Sequence, residues 1–117
     1  MRVTAYPDVV ADISTGVSTL SKDIPDTMKG FAAMAAGSET DAALTKRTKE
    51  LIAMGIAVAL RCDGCIGFHT KKLVALGVTR AEFEEMLGVT IYMGGGPSLM
   101  YAAQALRAWE EFGGAKS

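Results

Sequence analysis

Apolar side chains recur along this chain at steps of three and four residues, the spacing that places them on one face of an α-helix. The clearest stripes are Val10, Ile13, Val17 and Leu20; Ile24, Met28, Phe31 and Ala35; and Leu99, Ala102, Leu106 and Trp109. The valines and threonines around the first stripe would also suit a strand, but no alternation of period two is long enough to indicate one. The pattern therefore predicts an all-α fold without a strand of four or more residues.

Two further helices are predicted in the middle of the chain, and the second of them begins near Cys62. The first covers residues 45–60, and its second half, residues 51–60, is apolar all round, so we expect burial on every side. The second begins near Cys62 and ends at Gly77, because glycine readily adopts the left-handed conformation that terminates many helices. Cys62 therefore lies at the start of a predicted helix.

A capping box marks the start of a fifth helix. Thr79 and Glu82 have the spacing at which each side chain bonds the backbone N–H of the other residue. Gly88 is expected to close this helix. Residues 94–97, three glycines and a proline, interrupt the apolar stretch that follows, and the sequence leaves open whether they kink one helix or separate two.

Length and composition favour one domain that associates with copies of itself. The chain has 117 residues, of which 50% are apolar, so we expect a single domain spanning residues 1–117. A domain of this size buries only about 65% of its unfolded surface. Association would cover more apolar surface, and a homo-oligomer is therefore expected.

The charge pattern argues against several classes of partner. The chain carries 12 basic and 13 acidic residues, a net charge of −1, without a cluster of Lys or Arg, so no nucleic-acid partner is expected. The longest apolar run, residues 51–60, is about half of the roughly 20 residues that a membrane-spanning helix needs. The N-terminus also lacks the pattern of a signal peptide. We therefore predict a cytoplasmic protein without a membrane partner.

The residues best suited to chemistry are Cys62, Cys65 and His69, the only histidine in the chain. Steps of three and four put them on one face of the predicted helix, about 5–6 Å apart, a separation that a disulfide can bridge. Unpaired N–H groups at a helix N-terminus stabilise a thiolate, and a histidine one turn later can accept the thiol proton. The spacing therefore indicates a reactive dithiol.

Other uses of a cysteine pair fit this sequence less well. Structural zinc takes four ligands, and Cys62, Cys65 and His69 provide three at most. Haem attachment requires a histidine directly after the second cysteine, where this chain has Ile66. Inert buried cysteines are common, but an inert pair would not require a histidine on the same helix face, where this chain has its only one. We therefore predict no metal and no cofactor.

Glu50 is the fourth residue of interest, and the sequence allows two interpretations of it. It stands directly before the apolar run of residues 51–60, which would place it partly inside the protein. It also ends the charged stretch of residues 46–50, and composition alone favours a solvated acid.

Together these positions resemble a known family signature. Glu50, then Cys62 twelve positions later, Cys65 and His69 resemble the AhpD-like alkylhydroperoxidase branch of the carboxymuconolactone decarboxylase family. The resemblance covers about residues 45–112. It implies a helical bundle that assembles as trimers or hexamers, and a peroxidase that takes part in antioxidant defence.

The resemblance also implies a role for each residue. Cys65 would attack the hydroperoxide and become a sulfenic acid, and Cys62 would resolve it to a disulfide. His69, with Glu50 behind it through a water, would relay protons. An external dithiol would then reduce the disulfide, and in the best-known member of the family this donor is a lipoylated protein. The implied catalytic set is Cys65, Cys62, His69 and Glu50.

The sequence leaves alternatives both for the attacking cysteine and for the function. The helix-terminus argument favours Cys62 as the nucleophile, whereas the register of His69 and the resemblance favour Cys65, which we adopt. Gly64 stands where the best-known members carry a histidine, so the proton relay would lack one member. A lactone decarboxylase is an alternative, although such members typically lack the cysteine pair, and a non-enzymatic redox-sensing oligomer is another.

Overall fold

The computed structural model describes residues 3–116 and contains six α-helices within them. They are α1 (Tyr6–Asp23), α2 (Pro25–Ser38), α3 (Lys46–Ala59), α4 (Asp63–Ala75), α5 (Arg80–Gly94) and α6 (Gly96–Glu111). No residue from 3 to 116 belongs to a strand. The predicted all-α class is confirmed.

Helices α3, α4, α5 and α6 pack around a common apolar core, and α1 lies across α4 and α6. Trp109 of α6 packs against Phe83 of α5, with ring centroids 4.7 Å apart. Met54 and Val58 of α3 and Leu73 of α4 are fully buried. Burial of each such side chain contributes about 1.5–3 kcal/mol. This core holds α3 and α4 side by side, and the two helices carry the predicted site.

The helix termini follow the predicted signals at two places. Thr79 and Glu82 form the capping box: the Glu82 N–H donates to Thr79 Oγ1 at 3.1 Å, and the Thr79 N–H donates to Glu82 Oε1 at 2.9 Å. Gly77 has a φ of 75°. Its N–H donates to Val74 O at 3.1 Å, and the Val78 N–H donates to Leu73 O at 3.2 Å. This left-handed residue ends α4 at the predicted glycine.

The predicted end of the fifth helix at Gly88 is wrong, because α5 continues to Gly94. A glycine inside a helix costs only about 1 kcal/mol relative to alanine, and continuing the helix buries Thr90. The helix ends where Gly95 adopts a φ of 73° and Pro97 opens the next one. The glycine-rich segment therefore separates two helices instead of kinking one.

The prediction that residues 51–60 are buried on every side is also wrong. Ile52, Ile56 and Leu60 are 49%, 53% and 71% exposed. They lie on the face of α3 turned away from α4, and Ile52 and Ile56 line an apolar groove of about 450 Å³ between α3 and α5. A chain of this size has too few helices to cover every face of α3, so one face stays open in the isolated chain.

Helix α2 stands apart from the core. It packs mainly against α1, and none of its residues is buried. Phe31 and Met34 are each 63% exposed. Within residues 3–116, no helix combines the length and the apolar character that are needed to cross a bilayer.

Candidate active site

A tight turn between α3 and α4 positions the cysteine pair. Arg61 adopts a φ of 56°, a left-handed conformation that is unfavourable for a residue with a side chain. Its N–H donates to Val58 O at 3.0 Å, and the Cys62 N–H donates to Ala57 O at 3.1 Å. These two bonds form the pattern that terminates many helices with glycine. They fix the backbone of Cys62 to the last turn of α3.

Cys62 and Cys65 form a disulfide at the N-terminus of α4, with their Cα atoms 5.2 Å apart. Cys62 is the N-cap residue of this helix, and its Sγ accepts a hydrogen bond from the Cys65 N–H at 3.2 Å. Both cysteines are half-buried. A reduced Cys62 would therefore face a backbone donor and the positive end of the helix, which stabilise a thiolate.

His69 lies one turn after Cys65 on α4 and pairs with Glu50 of α3. The distance from His69 Nδ1 to Glu50 Oε2 is 2.7 Å, so the two side chains touch directly, not through a water as expected. The Glu50 side chain is only 1% exposed, which makes the interpretation as a solvated acid wrong. A carboxylate accepts from Nδ1–H, and this leaves the lone pair of a neutral imidazole on Nε2, free to accept a proton.

Sequence reasoning missed two further members of this cluster, Lys72 and Glu39. Lys72 lies one turn after His69, and its Nζ is 3.9 Å from Glu50 Oε1. The same ammonium donates to Glu39 Oε1 at 2.8 Å, just after α2. This hydrogen bond from Lys72 lowers the pKa of Glu39. The step of three from His69 to Lys72 was a signal in the sequence, whereas nothing local pointed to Glu39.

On the other side of the disulfide, Asp63 is held by Tyr6 of α1. The buried Tyr6 hydroxyl donates to Asp63 Oδ1 at 2.9 Å. Burial, followed by the bond to Asp63, raises the pKa of Tyr6 well above its usual range. The guanidinium of Arg107 stacks over the Tyr6 ring, with 4.8 Å from Cζ to the centroid. The residue next to Cys62 is therefore anchored by a contact that spans 57 positions of sequence.

The predicted residues Glu50, Cys62, Cys65 and His69 thus lie together where α3 meets the start of α4. Within residues 3–116, no three His, Cys, Asp or Glu side chains form a group able to hold a metal ion.

Comparisons with known proteins identify the family of this chain. The profile of the carboxymuconolactone decarboxylase family matches residues 25–108. The chain belongs to this family. A crystal structure of a carboxymuconolactone decarboxylase family protein from Legionella pneumophila, in its apo form, superposes with a TM-score of 0.90 at 53% identity. The match covers 92% of this chain and 96% of that one.

Two sequence relatives align with most of the residues of this chain. An uncharacterized protein of Cupriavidus necator is 36% identical over 97 residues, which is 83% of this chain and 86% of the relative. A protein of the cox locus of Paracoccus denitrificans, also uncharacterized, is 35% identical over 85 residues, or 73% of this chain and 77% of the relative.

Helix α1 approaches α4 closely at two glycines near the start of α4. A Cβ atom built on Gly64 would lie 2.5 Å from Ile13 Cδ1, and one on Gly67 would lie 2.8 Å from Val10 Cγ2. Both distances are too short for carbon atoms in contact. Helix α1 therefore packs onto the glycine face of α4, and a side chain at position 64 would require the end of the Ile13 side chain to move.

Proposed function

We propose that this chain is a thiol-dependent peroxidase that reduces organic hydroperoxides with Cys62 and Cys65. One observation carries the proposal: the cysteine pair lies at a helix N-terminus, one turn before a histidine whose Nδ1 contacts a buried glutamate at 2.7 Å. An activated cysteine nucleophile needs a group that stabilises the thiolate, a group that accepts the thiol proton, and a third group that orients the proton acceptor.

The proposed cycle begins with the loss of the Cys65 thiol proton to Nε2 of His69. The Cys65 thiolate then attacks the terminal oxygen of the hydroperoxide and breaks its O–O bond, which gives a sulfenic acid and an alkoxide. The imidazolium returns the proton, so the alkoxide leaves as an alcohol. Two electrons pass from the sulfur to the peroxide in this step.

Resolution and reduction complete the cycle. The Cys62 thiolate attacks the Cys65 sulfenic acid, forms the disulfide and releases the oxygen as water after protonation. An external dithiol, such as the lipoyl group of a lipoylated protein, then exchanges with the disulfide, so the donor becomes a disulfide and both cysteines return to thiols. Both cysteines are half-buried residues, which supports access by such a donor.

A turnover assay tests the proposed function. We expect cumene hydroperoxide to be consumed catalytically with dihydrolipoamide as the donor, at one equivalent of donor for each equivalent of peroxide. Protein with both cysteines alkylated is the control and is expected to be inactive. Oxidation of the cysteines without turnover would favour a redox sensor, and lactone decarboxylation that persists after alkylation would favour a lyase.

We also propose that the working form is a homo-oligomer, such as a trimer or a hexamer. The isolated chain exposes 7311 Å², whereas a compact monomer of 12.3 kDa is expected to expose about 6,100 Å². The excess of about 1,200 Å² exceeds the roughly 800 Å² that one protein gives to a standard interface. Phe31 and Met34 on α2, together with the apolar groove between α3 and α5, are the surfaces that other copies of this chain would cover.

Light scattering is expected to return a multiple of the 12.3 kDa chain mass at micromolar concentration. The double variant Phe31→Glu with Met34→Glu should lower that mass, because it places two charges on an apolar contact surface. Lys29→Glu, on the same helix, is the control and should leave the mass unchanged. A monomer mass for the unmodified chain would contradict the proposal.

A further inference from the structure

We infer that Lys72 is a positioning residue of this site: its ammonium lies beside the buried Glu50 carboxylate and supplies the positive charge that lets Glu50 orient His69 for accepting a thiol proton. The inference deepens the proposed peroxidase function and rests on it for its biological meaning. The geometry that carries it is independent of any activity.

The two oxygens of Glu50 have different partners. Oε2 is 2.7 Å from His69 Nδ1, and Oε1 is 3.9 Å from Lys72 Nζ. With a side chain that is 1% exposed, Glu50 has almost no water to stabilise its charge. An ionised carboxylate in such a place requires a nearby cation. A neutral imidazole is not one, so Lys72 fills this role when His69 is ready to accept a proton.

Glu39 holds the ammonium of Lys72 in place. Lys72 is 43% exposed, and a lysine side chain with this freedom would otherwise sample many conformations in solvent. Its hydrogen bond to Glu39 Oε1 at 2.8 Å restrains Nζ on the side of α4 that faces Glu50. Lys72 therefore bridges two carboxylates, one at the surface and one in the interior.

The electrostatic consequence has a definite sign. Glu50 and His69 share a contact, so a proton taken up by either belongs to the pair. A positive charge beside the pair weakens its hold on that proton. Glu39, Lys46 and Lys49 also lie on this side. The hydrogen bond from Lys72 and the charges of Lys72, Lys46 and His69 lower the pKa of Glu39. Lys49 Nζ donates to Thr40 O at 2.7 Å. Within residues 3–116, no side chain of α1, α5 or α6 forms an ion pair with Glu50 or His69.

Loss of Lys72 should therefore move protonation of the pair to higher pH. At a given pH a larger fraction of His69 would then be imidazolium, hydrogen-bonded to Glu50 and unable to accept the proton of Cys65. A surface salt bridge that served only to attach α2 would not have this effect, since it would leave the titration of His69 unchanged.

The single histidine makes the test direct, because its ring signals in an NMR titration have one assignment. We expect the His69 midpoint in Lys72→Met to rise by about one pH unit in the full chain, in its disulfide form. Lys72→Arg should restore the midpoint. Lys71→Met, at the neighbouring exposed position of α4, is the matched control and should leave it unchanged. If Lys72→Met does not fold, Lys72→Gln takes its place.

An unchanged or lower midpoint in a folded Lys72→Met or Lys72→Gln protein would overturn the inference. The titration uses neither peroxide nor donor, so its outcome is separate from that of the turnover assay. A second readout follows the reduced protein: the pH profile of thiol alkylation by iodoacetamide should move to higher pH in Lys72→Met and return in Lys72→Arg. An unmoved profile beside a shifted midpoint would show that Lys72 acts on His69 without reaching the thiols, and this too would overturn the proposed role.

Discussion

Cys65→Ser is expected to abolish the consumption of organic hydroperoxides, because it removes the sulfur that lies in register with His69. A serine hydroxyl at this position would stay protonated at neutral pH and cannot take oxygen from a peroxide. The remaining Cys62 is held as the N-cap of α4, where its Sγ accepts from the backbone N–H of residue 65. Peroxide consumption followed with a dihydrolipoamide-coupled assay would measure the loss.

Cys62→Ser is the matched partner of this variant and should behave differently. Its Cys65 can still attack one equivalent of peroxide, but no second thiol is present to resolve the product. We expect one added oxygen on Cys65 by mass spectrometry, or a dimedone adduct when that reagent traps the sulfenic acid. Turnover should be lost in both variants, so the trapped intermediate is the result that tells them apart.

The opposite pattern would reverse the roles. If oxygen appears on Cys62 in Cys65→Ser while Cys65 stays inert in Cys62→Ser, the stabilisation by the helix N-terminus at Cys62 outweighs the register of His69. Should neither sulfur oxidise faster than a free thiol, the pair is not the centre of a peroxidase.

His69→Ala is expected to lower kcat/KM for hydroperoxide by about 10²–10⁴-fold, the usual effect of removing a general base. Alkylation of the reduced protein by iodoacetamide should also require higher pH, because no group one turn after Cys65 remains to take the proton. The helix itself should be unaffected, since the His69 side chain is 25% exposed and lies outside the main core. Circular dichroism would check this.

Glu50→Gln should also slow the reaction, by on the order of 10–100-fold, if the loss resembles that found when a carboxylate that orients a metal-binding histidine is removed. The amide keeps the size of Glu50 but not its charge, so it no longer favours the tautomer with Nδ1–H. The direct 2.7 Å contact makes this effect larger than a water-mediated one would be. Glu85→Gln on the exposed face of α5 is the control. Equal rates for both variants would show that Glu50 has only a structural role.

Features that depend on neighbours within about four residues were predictable from the sequence. The apolar period of three and four predicted the helical class, because side chains at these steps share one face of a helix. The Thr79–Glu82 capping box and the terminal Gly77 are local hydrogen-bond and backbone devices. The shared face of Cys62, Cys65 and His69 follows from the pitch of one helix.

The end of α5 shows where such local reasoning fails. Gly88 and Gly95 are the same residue type, and propensity alone cannot rank them. Packing decides between them, because extending the helix past Gly88 buries Thr90, whereas Gly95 adopts a left-handed conformation that continues no helix. The open face of residues 51–60 is also decided by packing. An apolar run in the sequence does not determine how many other helices pack around it.

The sequence by itself therefore determined the fold class, the dithiol and the histidine in register with it. Only the tertiary structure decided that Glu50 is buried and touches His69, that Lys72 and Glu39 complete the cluster, and that Tyr6 anchors Asp63. The reason is physical. Helical pitch relates residues within a turn or two, but Glu50 and His69 are 19 positions apart and meet only because the core packs α3 against α4.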